Sequence, residues 1–191
     1  MAKRPSGNRE LVMTYYAYPE MQIDSETSYT AVITTNHGSM DFELLPAEAP
    51  LAVNSFVFLA NDGYFDGQVS HRMIPGFMVQ TGDPTGTGFG GPGYSFTIER
   101  PKRPYVRGSL AMANSGRPDT NGSQFFIVFA DLTARGSLGP DYSIFGQMTE
   151  GETTLAMIES VPVGENRTGD SAEVSVPQQP ISIKSVTIHE G

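Results

Sequence analysis

"YTAVITTNHGSMDFELL", residues 29–45, is the stretch that best predicts the fold. Its first seven residues are rich in β-branched side chains, and the tripeptide "NHG" at 36–38 signals a tight turn. Beyond the turn, every second residue is apolar, namely Met40, Phe42 and Leu44. This period of two predicts an antiparallel hairpin with one buried face.

An amphipathic helix is predicted directly after the hairpin. Four apolar residues recur at helical spacing: Val53, Phe56, Val57 and Ala60. Pro50 suits the first turn of this helix, and Gly63 is a natural stop. A second helix is predicted over residues 151–160, "GETTLAMIES".

The remaining apolar segments are short and separated by turn residues. They are "HRMI", "FMVQ", "SLAMA", "QFFIVF", "YSIFGQM" and the final "PISIKSVTIHE". In the final strand the alternation slips by one residue at Lys184–Ser185, which predicts a β-bulge. Residues 172–180, "AEVSVPQQP", are interpreted as a loop or a weak strand. Because no βαβ repeats occur, the pattern favours a mainly β protein, an antiparallel barrel whose ends are covered by helices.

The length of 191 residues fits one domain, which we place at 29–191 after an N-terminal extension over 1–28. The extension has no sustained periodicity. It either packs a few of its tyrosines onto the domain or forms a poorly ordered tail, and the sequence leaves both possibilities open. The chain has no cysteine, which excludes disulfides, thiolate metal sites and cysteine nucleophiles.

The charge and hydropathy of the chain argue against two classes of partner. The net charge is −9, from 12 basic and 21 acidic residues, so the surplus of Lys and Arg that nucleic-acid binding requires is missing. The sequence also lacks an N-terminal apolar stretch typical of a secretory signal and any run long enough to span a membrane. We therefore expect no nucleic-acid or membrane partner and a cytoplasmic location.

The glycine run "GTGFGG", residues 86–91, formally satisfies the dinucleotide-binding pattern G-x-G-x-x-G. That pattern binds a pyrophosphate only when a helix begins directly after it. Here Pro92 and Gly93 follow, and then "YSFTIERP", which is no helix. The run is therefore interpreted as a loop, and no nucleotide cofactor is expected.

Hydrolytic and metal-dependent chemistry have little support in the sequence. There is no G-x-S-x-G elbow, and no His or carboxylate pair has ligand spacing with a second half elsewhere. We expect no metal and no other cofactor. Since His71 alternates with Arg72, the two side chains should leave opposite faces of their strand, and His71 is expected to be a hydrogen-bonded histidine of the barrel.

Arg72 stands out because its apolar neighbourhood also supplies uncharged hydrogen-bonding groups. The nearby segments carry the aromatic and methionine residues Phe77, Met78, Met112, Phe125 and Phe126, and the amides Gln80, Asn114 and Gln124. A groove of this composition beside a guanidinium has neither nucleophile nor general base. It suits holding a peptide and redistributing charge, although core packing explains each aromatic residue equally well.

Three long motifs resemble the signatures of the cyclophilin family. They are "HRMIPGFMVQTGDPTGTGFGGPG" at 71–93, "LAMANSGRPDTNGSQFFIVF" at 110–129 and "YSIFGQMTEG" at 142–151. The similarity covers roughly 29–189. It implies a peptidyl-prolyl cis–trans isomerase built as a closed eight-stranded antiparallel β-barrel capped by two α-helices.

The resemblance also implies roles for individual residues. Arg72 would be the catalytic arginine. The proline pocket and the contacts to the rest of the substrate would come from Phe77, Met78, Gln80, Ala113, Asn114, Gln124, Phe126, Leu138 and Tyr142. Tyr142 stands where many members have histidine, and it preserves a flat pocket wall and a hydrogen-bonding tip. Its segment is more similar to the bacterial members of the family.

The implied partners are proline-containing peptides and unfolded or folding proteins, bound by a monomer that assists folding. Two alternatives stay open at this point. The same groove could serve a proline-peptide binding module or holdase chaperone without significant turnover. The chain could also be an assembly component recruited through residues 1–28.

The resemblance predicts weak inhibition by cyclosporin. Ser137 occupies the position where many members have tryptophan, and the chain contains no tryptophan at all. We expect an isomerisation assay on an Xaa-Pro peptide to show turnover that cyclosporin inhibits only weakly. Tight inhibition would contradict the importance given to the missing tryptophan.

Overall fold

A computed structural model describes residues 13–132, 138–166 and 173–191. These residues form ten strands and two helices. In chain order they are β1 (Tyr29–Thr35), β2 (Gly38–Leu44), α1 (Pro50–Asn61), β3 (Arg72–Ile74), β4 (Met78–Thr81), β5 (Ser109–Met112), β6 (Phe125–Val128), β7 (Ile144–Glu150), α2 (Glu152–Glu159), β8 (Val163–Asn166), β9 (Glu173–Pro177) and β10 (Ile183–Glu190).

Eight of the strands form one antiparallel sheet in the order β10-β1-β2-β7-β5-β6-β4-β3. This confirms the mainly β class, the eight strands and the two helices. The two edge strands do not pair directly along their length. The chain preceding β3 instead closes the seam, through an isolated bridge between Val69 and Ser182. Two backbone hydrogen bonds flank it, from Gly67 to the Ile183 carbonyl and from Ser70 to the Ile181 carbonyl, each 2.8 Å. The barrel is therefore less regularly closed than expected.

The hairpin and the bulge follow the sequence pattern. Met40, Phe42 and Leu44 are each at most 2% exposed, as the period of two predicts. Along the β1–β10 ladder, Thr34 pairs with Ser185 and Thr35 pairs with Ile183, so that Lys184 has no opposite residue. The predicted bulge is confirmed at this slip, where one extra residue restores the buried face of the strand.

The segment at 172–180, interpreted as a loop or a weak strand, contains β9. It pairs with β8 to form a separate two-stranded sheet, and β9 also packs against β3. This β8–β9 hairpin lies next to the strand that carries Arg72.

The N-terminus of α1 receives its hydrogen-bond acceptor from a distant part of the chain. The side chain of Ala49 cannot cap the helix, and Pro50 fits the first turn because its missing N–H would have no partner there. The carboxylate of Glu99 accepts hydrogen bonds from the backbone N–H groups of Leu51 (2.8 Å) and Ala52 (3.0 Å). This contact fixes one end of the helix to the loop before β5.

Apolar side chains occupy both faces of the sheet. The first cluster fills the barrel and includes a group of mutually contacting phenylalanines: Phe56, Phe65, Phe125 and Phe145. A second cluster contains alternate residues of β4 and β6, among them Met78, Phe126 and Val128. Because side chains alternate along a strand, this second cluster lies on the outer face of the sheet.

Residues 13–28 pack onto α1 and onto the loop after β4. Tyr15 is 4% exposed, and its hydroxyl donates a 2.6 Å hydrogen bond to Asp62. Its backbone N–H donates to the carbonyl of Pro92 at 2.7 Å. Tyr18 donates to the carbonyl of Leu51 at 2.7 Å. In the part of the chain that the structure describes, neither helix has the length and apolar character to cross a lipid bilayer.

Replacing Tyr15 by alanine should destabilise the fold strongly. The substitution removes a buried ring and its hydrogen bond, which should lower the free energy of unfolding by about 3–5 kcal/mol. The adjacent Tyr16 is 66% exposed, so Tyr16→Ala should change this free energy by no more than about 0.5 kcal/mol. Urea denaturation of both variants measures the difference, and equal effects would contradict the anchoring role of Tyr15.

Candidate active site

Three of the predicted site residues form a row across neighbouring strands. Arg72 on β3 is the register partner of Gln80 on β4, and Gln80 is the register partner of Phe126 on β6. Directly paired residues present their side chains on the same face of a sheet. The row therefore places the arginine, an amide and an aromatic ring side by side on the outer face.

Apolar side chains pack together beside this row, and we call the surface that they form the notch. It is formed by the predicted residues Phe77, Met78, Ala113, Phe126, Leu138 and Tyr142, which all belong to the outer apolar cluster. The rings of Phe126 and Tyr142 meet edge to face with their centroids 5.7 Å apart. Tyr105 holds the backbone of Tyr142 by donating a 2.8 Å hydrogen bond to its carbonyl. These residues, which come from separate segments of the sequence, therefore lie together on one surface of the protein.

Two residues that the sequence grouped with the notch lie elsewhere. Met112 and Phe125 are at most 2% exposed and belong to the core inside the barrel. Phe125 directly precedes Phe126, so strand alternation sends the two rings to opposite faces. The same alternation, applied within "QFFIVF", would have excluded Phe125 from the groove.

Two of the three predicted amide residues form a hydrogen-bonded chain that leads away from Arg72. Gln80 donates to the side-chain oxygen of Gln124 at 2.8 Å. Gln124 in turn donates to the carbonyls of Gly88 (3.0 Å) and Gly90 (2.8 Å). Asn114 lies apart from this chain and donates to the carbonyl of Asp141 at 2.7 Å.

The glycine run forms one wall of a cleft of about 710 Å³ next to the notch. The cleft is lined by Gln80, residues 88–95, residues 113–115, Thr120 and residues 122–124. No helix begins within residues 92–99, all of which the structure describes. The interpretation of 86–91 as a loop is therefore confirmed.

Asp83 organises this loop from a buried position. Its carboxylate, 1% exposed, accepts hydrogen bonds from the backbone N–H of Thr85 at 2.7 Å and of Gly88 at 2.6 Å. Burial opposes its ionisation, but the hydrogen bonds from Thr85, Gly90 and Gly88 outweigh that effect and lower the pKa of Asp83. A side chain at Gly90 would place its Cβ 1.9 Å from this carboxylate, so the position requires glycine.

Arg72 is held by a carboxylate that the sequence did not point to. Its Nε donates to Oε2 of Glu173 at 2.8 Å, and its Nη2 donates to Oε1 at 2.7 Å. Its Nη1 faces the side-chain oxygen of Gln80 at 3.5 Å. The arginine side chain is 33% exposed, so the guanidinium is neither fully in solvent nor sealed off.

His71 departs from expectation in one respect. Among the described residues, neither ring nitrogen has a hydrogen-bond partner, although both are buried. Burial lowers the pKa of His71, which favours the uncharged ring. The expected hydrogen bond of this histidine is not formed with any described residue, because the ring lies against Gly88, where an added Cβ would be 3.4 Å from Cδ2 of His71.

Glu173 and Asp83 were missed for different reasons. Glu173 lies 101 residues from its partner, in a segment that shows only weak alternation, and nothing local marks it. Asp83 had a usable signal, since the dipeptide Asp83–Pro84 favours a turn in which the carboxylate accepts from the backbone N–H two residues on. Among the described residues, no three His, Asp or Glu side chains come together to hold a metal ion. Ser137, on which the cyclosporin prediction depends, lies outside the described residues.

Comparison with known proteins identifies the family. The family model described as "Cyclophilin type peptidyl-prolyl cis-trans isomerase/CLD" matches residues 30–188. A peptidyl-prolyl cis-trans isomerase of Helicobacter pylori is 42% identical over 143 residues, covering 74% of this chain and 84% of its own length. A Streptococcus pyogenes protein, named as a bifunctional phosphatase/peptidyl-prolyl cis-trans isomerase, is 50% identical over 115 residues. The match covers 58% of this chain but only 24% of that relative's length.

A solved structure agrees in fold as well as in sequence. The crystal structure of a Cryptosporidium parvum cyclophilin type peptidyl-prolyl cis-trans isomerase, in the presence of the dipeptide Ala-Pro, superposes with a TM-score of 0.74. It is 38% identical and covers 85% of this chain and 99% of its own. The chain therefore belongs to the cyclophilin-type peptidyl-prolyl cis–trans isomerases, the enzyme class EC 5.2.1.8.

The ion pair at the site should leave a clear signature in acid. The hydrogen bonds from Arg72 lower the pKa of Glu173 from the ordinary 4.5 to about 2. Since the folded-state pKa is the lower one, the stabilisation by the pair is complete above about pH 4.5 and is lost as the pH falls toward 2. Carboxyl NMR titration should give a midpoint far below 4.5 in the wild type and a higher one in Arg72→Ala. A wild-type midpoint near 4.5 would contradict the pairing.

Proposed function

We propose that this isomerase accelerates rotation about Xaa-Pro bonds by donating a hydrogen bond from Arg72 to the proline nitrogen in the twisted transition state. The observation that carries the proposal is the row of Arg72, Gln80 and Phe126 across three paired strands. It sets a partly exposed guanidinium at the rim of an apolar notch.

The chemistry that such a site must perform follows from the peptide bond. Rotation is opposed by a barrier of ~18–20 kcal/mol, because the nitrogen shares its lone pair with the carbonyl. The cis and trans ends of an Xaa-Pro bond differ by only about 0.5–1 kcal/mol. A catalyst therefore needs to lower the barrier alone, and neither a nucleophile nor a covalent intermediate is required.

Arg72 contributes by binding the transition state more tightly than the ground state. In the twisted amide the lone pair becomes localised on a pyramidal nitrogen and can accept a hydrogen bond that the planar amide cannot. A charge-assisted bond of this kind is worth about 1.5–3 kcal/mol. At about 1.4 kcal/mol per factor of ten, this amounts to a rate increase on the order of 10- to 150-fold.

The notch and the amide side chains supply the rest of the rate increase. The pyrrolidine ring would sit among Phe77, Met78, Phe126 and Leu138, and hold still while the carbonyl side turns. Tyr142 closes one wall of this notch through its contact with Phe126. The substrate backbone and neighbouring side chains would contact Gln80, Ala113, Asn114 and Gln124. All four residues line the cleft.

The substrates we propose are proline-containing peptides and unfolded or folding proteins. The support is the family membership, together with the related Cryptosporidium structure obtained in the presence of Ala-Pro. The chaperone role, the monomeric state, the weak response to cyclosporin and the cytoplasmic location stay predictions. Exchange spectroscopy on an Xaa-Pro peptide separates an isomerase from a mere binder, because only turnover gives cis–trans cross-peaks.

Substituting Arg72 by lysine should be nearly as damaging as substituting it by alanine. Lysine keeps the charge but lacks the planar fork that can bind Glu173 and still present an N–H to the substrate. We expect kcat/KM to fall by at least about 10- to 150-fold for both variants in a protease-coupled assay. The matched control is Arg103→Lys, which alters another paired arginine that belongs neither to the notch nor to the lining of the cleft. Wild-type turnover by Arg72→Lys would refute the mechanism.

A further inference from the structure

One charged group next to Arg72 has no contact with the substrate in the proposed mechanism. Glu173 lies on β9, in the β8–β9 hairpin outside the main sheet. Its carboxylate is 34% exposed and faces the catalytic arginine across the contact between β9 and β3. A surface ion pair of this kind commonly contributes little to stability, so its place at the active site calls for another explanation.

The geometry of the pair restricts the guanidinium. Two parallel hydrogen bonds, of 2.8 and 2.7 Å, join the Nε–Nη2 edge of Arg72 to the two oxygens of Glu173. Such a bidentate contact sets the plane of the guanidinium as well as its position. The contact of Nη1 with Gln80, at 3.5 Å, fixes a third corner.

The N–H groups of Arg72 that remain after these contacts are the ones that the proposed hydrogen bond to the proline nitrogen requires. A guanidinium has five N–H groups, and these contacts use the one on Nε and one on each terminal nitrogen. One N–H on Nη1 and one on Nη2 are left on the side away from the carboxylate. Without Glu173, the long arginine side chain would sample several rotamers, and only a fraction of them would direct an N–H toward the notch.

We propose that Glu173 is a positioning residue that holds Arg72 in the orientation from which it donates to the proline nitrogen. The inference rests on the proposed role of Arg72. Glu173 does not touch the substrate and acts only through the arginine. Arg72 lies on β3 and Glu173 on β9, and the two strands pack against each other. Residues on strands are held more firmly than residues on loops.

The test is the kinetics of Glu173→Gln, compared with a matched control. Loss of the fixed orientation should lower kcat on the order of tenfold and leave KM within about twofold, because the notch that binds proline is unchanged. Glu173→Asp, which keeps the charge on a shorter side chain, should retain more activity than Glu173→Gln. The control, Glu48→Gln, breaks the similar two-bond pair with Arg103 and should stay near wild-type turnover.

A double-mutant cycle and a spectroscopic measurement complete the test. In the Arg72→Ala background, Glu173→Gln should cause no further loss, because the carboxylate then has nothing to orient. The ¹⁵Nε–¹Hε signal of Arg72 should shift in Glu173→Gln and stay unchanged in Glu48→Gln. Thermal unfolding of each variant shows that the comparison is made on folded protein.

Each contrary result points to a different failure. Wild-type or higher kcat in Glu173→Gln overturns the positioning role while leaving Arg72 in place, and a higher kcat would mean that the carboxylate restrains the arginine. A loss confined to KM, or an equal loss in the Arg72→Ala background, overturns it as well. If Arg72→Ala itself keeps wild-type turnover, the proposed function of Arg72 fails, whereas the Nε signal still measures the ion pair.

Discussion

The antiparallel pairing of β4 with β6 is the constraint on which the rest of the molecule depends. Each strand sends alternate residues to opposite faces, so Val79 and Ile127 enter the barrel while Met78 and Phe126 line the notch. A shift of one residue would exchange the two sets completely. The close approach of Gly82 to the chain before β6 helps to exclude such a shift, since a Cβ there would lie 2.2 Å from the Ser123 carbonyl.

A continuous line of polar contacts crosses this outer face. It begins at Glu173 and passes through Arg72, Gln80 and Gln124 to the carbonyls of the glycine loop. The loop is in turn tied to the buried carboxylate of Asp83. Between Glu173 and the loop, the only charged groups of this line are the guanidinium of Arg72 and the carboxylate of Glu173, and its other members are neutral amides and carbonyls. This composition suits a reaction that moves electron density within an amide without transferring a proton. The apolar notch and the polar line thus occupy neighbouring strips of one surface, each fixed by the register of the strands beneath.

Whether the sequence predicts a feature depends on how far apart along the chain the residues that form it lie. The hairpin at 29–45, the helix at 50–61 and the bulge at Lys184 follow from local periodicity, which leaves a signal within a few residues. Phe77, Met78 and Phe126 were grouped with Phe125 because all four lie in apolar segments near Arg72, and strand alternation would have removed Phe125 from that group. Ala113, Leu138 and Tyr142 were named only from resemblance to a family. Glu173 could not have been found, because its pairing depends on how two strands far apart in the chain pack together. The irregular seam at Val69 and Ser182 is likewise a property of the assembled sheet.

The anchoring of Tyr15 has a consequence for how the protein is dissected. The family match starts at residue 30, yet the N–H of Tyr15 binds the Pro92 carbonyl in the wall of the cleft, and the Cβ that Gly93 lacks would fall 2.5 Å from Thr14. A fragment trimmed to the family match at 30–188 would keep every notch residue but would lose the contacts of Thr14 and Tyr15 behind the neighbouring wall of the cleft. Expression boundaries for this protein are therefore better drawn before residue 13 than at residue 30, where the family match begins.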